Sequence, residues 1–320
     1  EKAWCVVKDG EPGPSYEAVK HITFSPDGRR LAYAARKAGQ WHVVEGNTMG
    51  PGYLMIKRVV FSPDSRQIAY TASLKGGEVI VQNGNPSALF LAVPGEPIFS
   101  ETGGRLACAV IEEKGSDIGM RLVIDGKPGP LFERILAYLF SEDGKQFAYM
   151  AVSDGEKMIV EGHEPHPAYD NVDIPIFDPT GRHLAYRVME DKKWHMVKNR
   201  VVSPGFDMVT PPVFSLDGER MVYIAGAGRS YVVVEDDMVL TTAMWAGLPA
   251  FSPDSRHLAY AAAGLSGSGL VIDGVEGRER FLSFLKGADL VFTTNRIVQG
   301  IALRNDGREF WRIRATIAEP

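Results

Sequence analysis

A ten-residue phrase, Phe24-Ser25-Pro26-Asp27-Gly28-Arg29-Arg30-Leu31-Ala32-Tyr33, recurs along the whole chain. Its anchor returns as Phe61, Phe99, Phe140, Phe177, Phe214 and Phe251, with a worn copy at Phe292, so the spacings are 37, 38, 41, 37, 37, 37 and 41 residues. A repeat of that length is one supersecondary unit that cannot bury its apolar face alone and must stack on its neighbours.

Within a unit, Val59-Val60-Phe61 is a short apolar run, Ser62-Pro63-Asp64-Ser65 a turn, and Ile68-Ala69-Tyr70 a second run. Proline presets φ at the second turn position, and Asp beside Gly or Ser suits the next two, which is a hairpin signature. A third β-branched run follows, as at Val79-Ile80-Val81 or Val232-Val233-Val234, too short for a helix. It closes on pairs such as Asp9-Gly10, Asn83-Gly84 and Asp273-Gly274, which supply the positive φ of a tight turn. A less apolar segment, Ser15–Val19 or Gly52–Ile56, is expected to be the fourth strand.

Four short antiparallel strands per repeat make a propeller blade. Strands apolar on both faces point to sheets packed between sheets. The expected architecture is therefore all-β: one closed β-propeller domain over residues 1–320, of eight four-stranded blades, with seven the alternative. The terminal strands are expected to share the last blade and close the ring. Trp41-His42 and Pro51-Gly52-Tyr53 match Trp194-His195 and Pro204-Gly205-Phe206 at an offset of 153, which suggests duplication of a four-blade half.

The repeated phrase resembles the WD40-like, or PD40, repeat of TolB-type propellers, cleanest at Phe24, Phe61 and Phe251 and weakest at Phe292. The Trp-Asp pair of true WD40 repeats is missing. The resemblance implies a propeller and a periplasmic or secreted location. It is nearly silent on activity, since the family includes enzyme-attached propellers whose catalytic α/β-hydrolase half has no counterpart in this sequence.

Net charge is −5 with the signs interspersed, which excludes a nucleic-acid partner of the basic-patch kind. No apolar run is long enough to span a membrane as a helix. Cys5 and Cys108 fall at different strand positions of distant repeats, so no bridge is expected, and Cys108 stands where six other repeats have Tyr.

The recurrent Asp27, Asp64, Asp143, Asp217 and Asp254 could line up to attract cations, or each could bond its own turn amides; the second reading is preferred. His42 and His195 lie four repeats apart, too far to share an ion. His163 and His166, with Glu164, lack the ligand number of a zinc site. Gly264-Leu265-Ser266-Gly267-Ser268-Gly269 lacks the Gly-x-Ser-x-Gly spacing of a nucleophile elbow. No metal, cofactor or catalytic residue is expected.

The candidate binding surface is the face where the first strands begin. Residues just before each anchor vary from repeat to repeat: Lys20, His21, Lys57, Arg58, Glu96, Asp173 and Asp289, with Trp245 overhanging. Variety on a repetitive scaffold is what a grafted site shows. The expected function is a non-catalytic binding or scaffold propeller presenting that face to a protein or glycan. The alternatives are a glycan hydrolase or lyase using Glu96, Asp173, Asp289 and His21, and a structural module of a larger protein. The oligomeric state is left open.

Overall fold

The computed structural model describes residues 3–115, 117–264, 267–285, 289–304 and 309–318. Parts of the Gly264–Gly269 loop and of the insertion at 278–287 thus lie outside the described residues, at Leu265, Ser266, Lys286 and Gly287. The architecture is all-β, a succession of antiparallel meander sheets of the β-propeller kind. The chain divides into two compact units, Glu1–Pro165 and His166–Pro320, and the boundary falls at the end of the fourth repeat.

The first unit opens with a hairpin, Val7–Lys8 against Glu11–Pro12. Four sheets follow. The first is Ala18–Phe24, Leu31–Lys37, Gln40–Glu45 and Thr48–Met49; the second is Met55–Phe61, Ile68–Leu74, Gly77–Gln82 and Asn85–Pro86. The third and fourth are built on the hairpins Leu106–Lys114 with Asp117–Ile124, and Phe147–Ser153 with Glu156–Glu161. The insertion of the third repeat lengthens its hairpin, and Glu112 lies within the strand, paired with Arg121 at 2.9 Å, rather than in a solvated turn.

The second unit repeats the pattern on Leu184–Glu190, Met221–Ala227, Leu258–Gly264 and Ile297–Arg304 as second strands. In its first two sheets the first strand is broken, at Asn171–Val172 then Ile176–Phe177, and at Met208–Val209 then Val213–Phe214. Pro175 and the Pro211-Pro212 pair sit in the breaks, where a missing N–H interrupts the ladder.

One expectation is corrected. The fourth strand is not Ser15–Val19 or Gly52–Ile56. In most sheets it is a two-residue strand just after the turn, such as Thr48–Met49, too short to show as an apolar run, while Met238–Ala243 reaches six residues. Tyr53 instead bridges back to Trp41, and the next first strand begins at Met55. Near the chain ends, Val7–Lys8 pairs with Glu11–Pro12, and Glu309–Thr316 pairs with Ile297–Arg304 as the third strand of its own sheet.

The core lies between consecutive sheets. Ala32, Ala34 and Val43 of the first sheet pack on Ile56, Val59, Ile68 and Tyr70 of the second. Second strands such as Leu31–Lys37 are buried on both faces, so small Ala residues alternate with Tyr or Val, as close approach on two sides demands. The tyrosine of each phrase is an inner wedge: Tyr149, Tyr186, Tyr223 and Tyr260 are among the largest fully buried side chains. Their hydroxyls find local partners: Tyr186 Oη lies 2.7 Å from His166 Nδ1, and Tyr260 Oη lies 2.5 Å from Thr241 Oγ1. Tyr149 has Phe132 edge-on at 6.0 Å instead, and its buried hydroxyl makes no hydrogen bond among the described residues.

Adjacent sheets are also clipped through their turns. Arg30 pairs with Glu45 at 2.6 Å, donates to the Ser65 carbonyl at 2.6 Å and lies over the Phe61 ring. Arg220 repeats this with Glu235, the Ser255 carbonyl and Phe251. Ser65 and Ser255, at φ +63° and +62°, accept the Asp27 and Asp217 N–H at 3.0 Å. Phe24 follows a hairpin with no such arginine, and its ring is exposed.

Candidate functional site

The turn aspartates are occupied locally. Ser25, Ser62, Ser141, Ser215 and Ser252 donate to Asp27, Asp64, Asp143, Asp217 and Asp254 at 2.5, 2.5, 2.7, 2.6 and 2.6 Å. The N–H two residues on donates to the same oxygen, as Lys145 does to Asp143 at 3.0 Å. In the fifth repeat the carboxylate moves to the serine position: Asp178 is buried and accepts from Thr180, the Arg182 N–H and His183. Burial pushes Asp178 up, but the bonds from His183, Thr180 and Arg182 outweigh it and hold the carboxyl below its usual value.

The Ser141 hydroxyl, helped by the Lys145 N–H, draws Asp143 down to about 2. A carboxyl lowered on folding stabilises above its unfolded value and loses that contribution as pH falls through its folded value. The Asp143 term is therefore complete above about pH 4 and fades toward pH 2. Asp143→Asn should flatten the acid limb of a stability profile between about pH 4 and 2, read by circular dichroism; an unchanged limb would refute the assignment.

The histidines of the two halves serve the loops. His42 Nδ1 lies 2.9 Å from the Gly50 carbonyl, and His195 Nδ1 lies 2.8 Å from that of Ser203. His163 packs on Phe147. Among the described residues, no three His, Cys, Asp or Glu side chains gather in a metal-binding group. Cys5 is exposed, and Cys108 is buried with its thiol pushed up to about 12 by burial.

Of the expected binding residues, the first unit brings His21, Lys57, Arg58 and Glu96 into one pocket of about 280 Å³, completed by Thr71, Val93, Pro94 and Gly95. Bulges aim these side chains. The first strand of the second sheet slips register between Ile56 and Arg58, and that of the first sheet slips between Lys20 and Thr23. His21 sits at the latter bulge with φ +54°, a left-handed backbone that a non-glycine residue adopts at a cost. Burial lowers the His21 pKa, and Lys20 and Arg58 lower it further against a hydrogen bond to the Ile56 backbone.

The two cations of the second sheet have different fates. Lys57 is committed inward: its Nζ lies 2.6 Å from Glu78 Oε2 and 3.2 Å from the Val93 carbonyl. Glu78 also accepts the Val93 N–H at 2.6 Å and the Ser73 hydroxyl at 3.1 Å. Burial pushes the Glu78 carboxyl up, and these three donors, Lys57 first, more than reverse it. Arg58 pairs outward with Glu96, both more than half exposed. The Glu96 carbonyl accepts the Tyr138 hydroxyl. A Cβ on Gly95 would meet the Ala109 nitrogen and Tyr138 hydroxyl at 2.8 Å, so the backbone beside Glu96 is pinned while its carboxylate reaches out.

The remaining candidates do not join this pocket. Lys20 lies over the Trp41 ring at 4.3 Å, and burial lowers its pKa. Asp173, Trp245 and Asp289 belong to the second unit. Asp173 pairs with Arg187, whose other nitrogen donates to the Val209 carbonyl at 2.6 Å. Trp245 lies over Gly247, where a Cβ would come within 2.8 Å of its ring, and Asp289 is exposed.

The sequence reading missed a larger cavity of about 1120 Å³ between the N-terminal hairpin and the first two sheets, bordered by Arg29, Arg66, Asn47, Asn83, Tyr33 and Tyr70. Similar crevices of about 290 and 280 Å³ recur at Asn83–Cys108 and at Lys198–Asp236, so it is an enlarged packing seam. No helix among the described residues is long and apolar enough to cross a membrane.

No family model matches the chain, and no curated protein matches it. Solved structures with a similar chain path include TolB from Acinetobacter baumannii, at 13% identity and TM-score 0.29, covering 68% of this chain and 60% of that one. The Dos1 propeller aligns at 10% identity and TM-score 0.35, covering 92% and 90%. The β-propeller domain of the Trilobed protease from Pyrococcus furiosus aligns at 12% identity and TM-score 0.31, covering 94% and 99%. The chain spans 60% of the length of the A. baumannii TolB chain. At such TM-scores nothing about binding passes from those proteins to this one.

Proposed function

We propose that this chain is a non-catalytic binding or scaffold propeller built of PD40-type, TolB-like repeats, a single domain that presents the Arg58–Glu96 pocket to a protein or glycan partner. The observation that carries the reading is the convergence of His21, Lys57, Arg58 and Glu96 from three consecutive sheets. The turn carboxylates, by contrast, are consumed by their own turns. A strained His21 and an exposed ion pair across two sheets are features that folding alone does not require. A periplasmic or secreted setting follows from the repeat resemblance alone.

The test is a pull-down from source-organism lysate and envelope fractions, with the variant Arg58→Ala/Glu96→Ala as control. The partner should be lost while Tm moves by no more than about 4 °C, because exposed pairs contribute little to stability. Full retention of the partner by the variant would remove the pocket from the binding face.

A further inference from the structure

Resting on that reading, we infer that Glu96 is an internal competitor, and that the pocket takes a carboxylate side chain from an acidic protein segment flanked by apolar residues. Lys57 is anchored, with two of its three N–H donors spent on Glu78 and the Val93 carbonyl. Arg58 can turn to an incoming anion, because Glu96 is its one recorded partner among the described residues and both ends of the pair are exposed. Glu96 is replaceable for the same reason: its backbone is fixed by Tyr138 and by the close approach at Gly95, so its side chain can swing away without moving the wall. Once it does, Arg58 and Lys57 face Glu78 alone, and the pocket favours a negative charge.

Exposed aliphatic side chains on the adjoining strands specify the rest of the segment. Leu54, Met55, Leu89 and Leu91 are 61%, 48%, 51% and 46% exposed. They flank the same polar cluster: the Leu54 N–H bonds the Ser73 carbonyl, Ser73 bonds Glu78, and Glu78 bridges Phe90 between the two leucines. An acidic residue set among apolar neighbours matches a positive pocket with Val93 and Pro94 in its wall and exposed aliphatic side chains on the adjoining strands. A free acid or a uronate would satisfy Arg58 but leave that apolar surface uncovered.

The experiment pans phage-displayed random heptapeptides against the full chain, then synthesises the selected peptide with its acidic residue and with the corresponding amide. Recovered peptides should carry Asp or Glu beside apolar residues, and the amide should bind at least about tenfold more weakly. The two partners of the ion pair should respond in opposite directions. Arg58→Ala should lower affinity more than about tenfold, and Glu96→Gln should raise it about two- to fivefold by removing the competitor. A purely structural pair would move both variants the same way, and that result overturns the inference. So would recovery of peptides lacking an acidic residue, or binding of a glucuronate-containing oligosaccharide in place of peptides. If the Arg58→Ala/Glu96→Ala variant loses its cellular partner yet Glu96→Gln gives no gain, the inference fails while the binding reading stands.

Discussion

Tyr260→Ala should lower the stability of the protein by about 3–5 kcal/mol, as large-to-small changes at fully buried aromatics do. Tyr260 is wedged among Val222, Ile224, Leu258 and Val271, and a truncated side chain there leaves a cavity that two packed sheets cannot close. The hydroxyl is separable. Tyr260→Phe should cost about 0.5–1.5 kcal/mol, because it breaks the bond to Thr241 and leaves that group unpartnered in the seam. Tyr149→Phe should be neutral or stabilising, since it deletes a buried hydroxyl that has no partner. Urea titrations of the three variants would test the ordering; a loss at Tyr149→Phe equal to that at Tyr260→Phe would contradict it.

Gly218→Ala should cost about 2–4 kcal/mol, although it adds one methyl group to a turn. Gly218 has φ +75°, and a Cβ there would lie 2.1 Å from Asp178 Oδ2 of the preceding sheet. That carboxylate is buried and tied to Thr180, Arg182 and His183, so it cannot step aside without breaking its own bonds. Ser255 occupies the matching position one repeat later, at φ +62°, and uses its side chain to hold the Asp217 N–H. Ser255→Gly should therefore change stability by less than about 1 kcal/mol, since relief of the backbone offsets the lost bond. If Gly218→Ala melts like the parent, the packing described for that turn is wrong.

The contrast between those two positions shows what the sequence made legible. The Ser-Pro-Asp turn could be read because its bonds are local: the serine, the carboxylate and the amides they join lie within five residues. The hairpins followed from the same short range. The fourth strands were hidden because two residues carry no periodicity. The clips were hidden because Arg30 and Arg220 act on the following repeat, and nothing in Arg30 itself names the Ser65 carbonyl as its target. The site was half legible. Position before the anchor Phe marks out His21, Lys57, Arg58 and Glu96, which line one pocket because repeats place equivalent residues side by side. It could not reveal that Lys57 is held by Glu78, whose carboxylate comes from a third strand and belongs to no motif. Asp173 was chosen on the same rule, and its pairing with Arg187 likewise depends on a neighbouring strand.

The clips carry a kinetic consequence. Arg30 reaches the Ser65 carbonyl across 35 residues, Gln67 reaches Gly103 across 36, and Arg105 reaches Lys145 across 40. Each of these contacts is complete once one further repeat exists, so the contact order stays low for an all-β chain of this length. As the chain leaves the ribosome at roughly 5–20 residues per second, each new sheet emerges within a few seconds of the one it must lock. Edges stay bare only for that interval. A rare-codon pause placed just after a third strand would lengthen the exposure of one sheet edge, and one placed after the next turn would not.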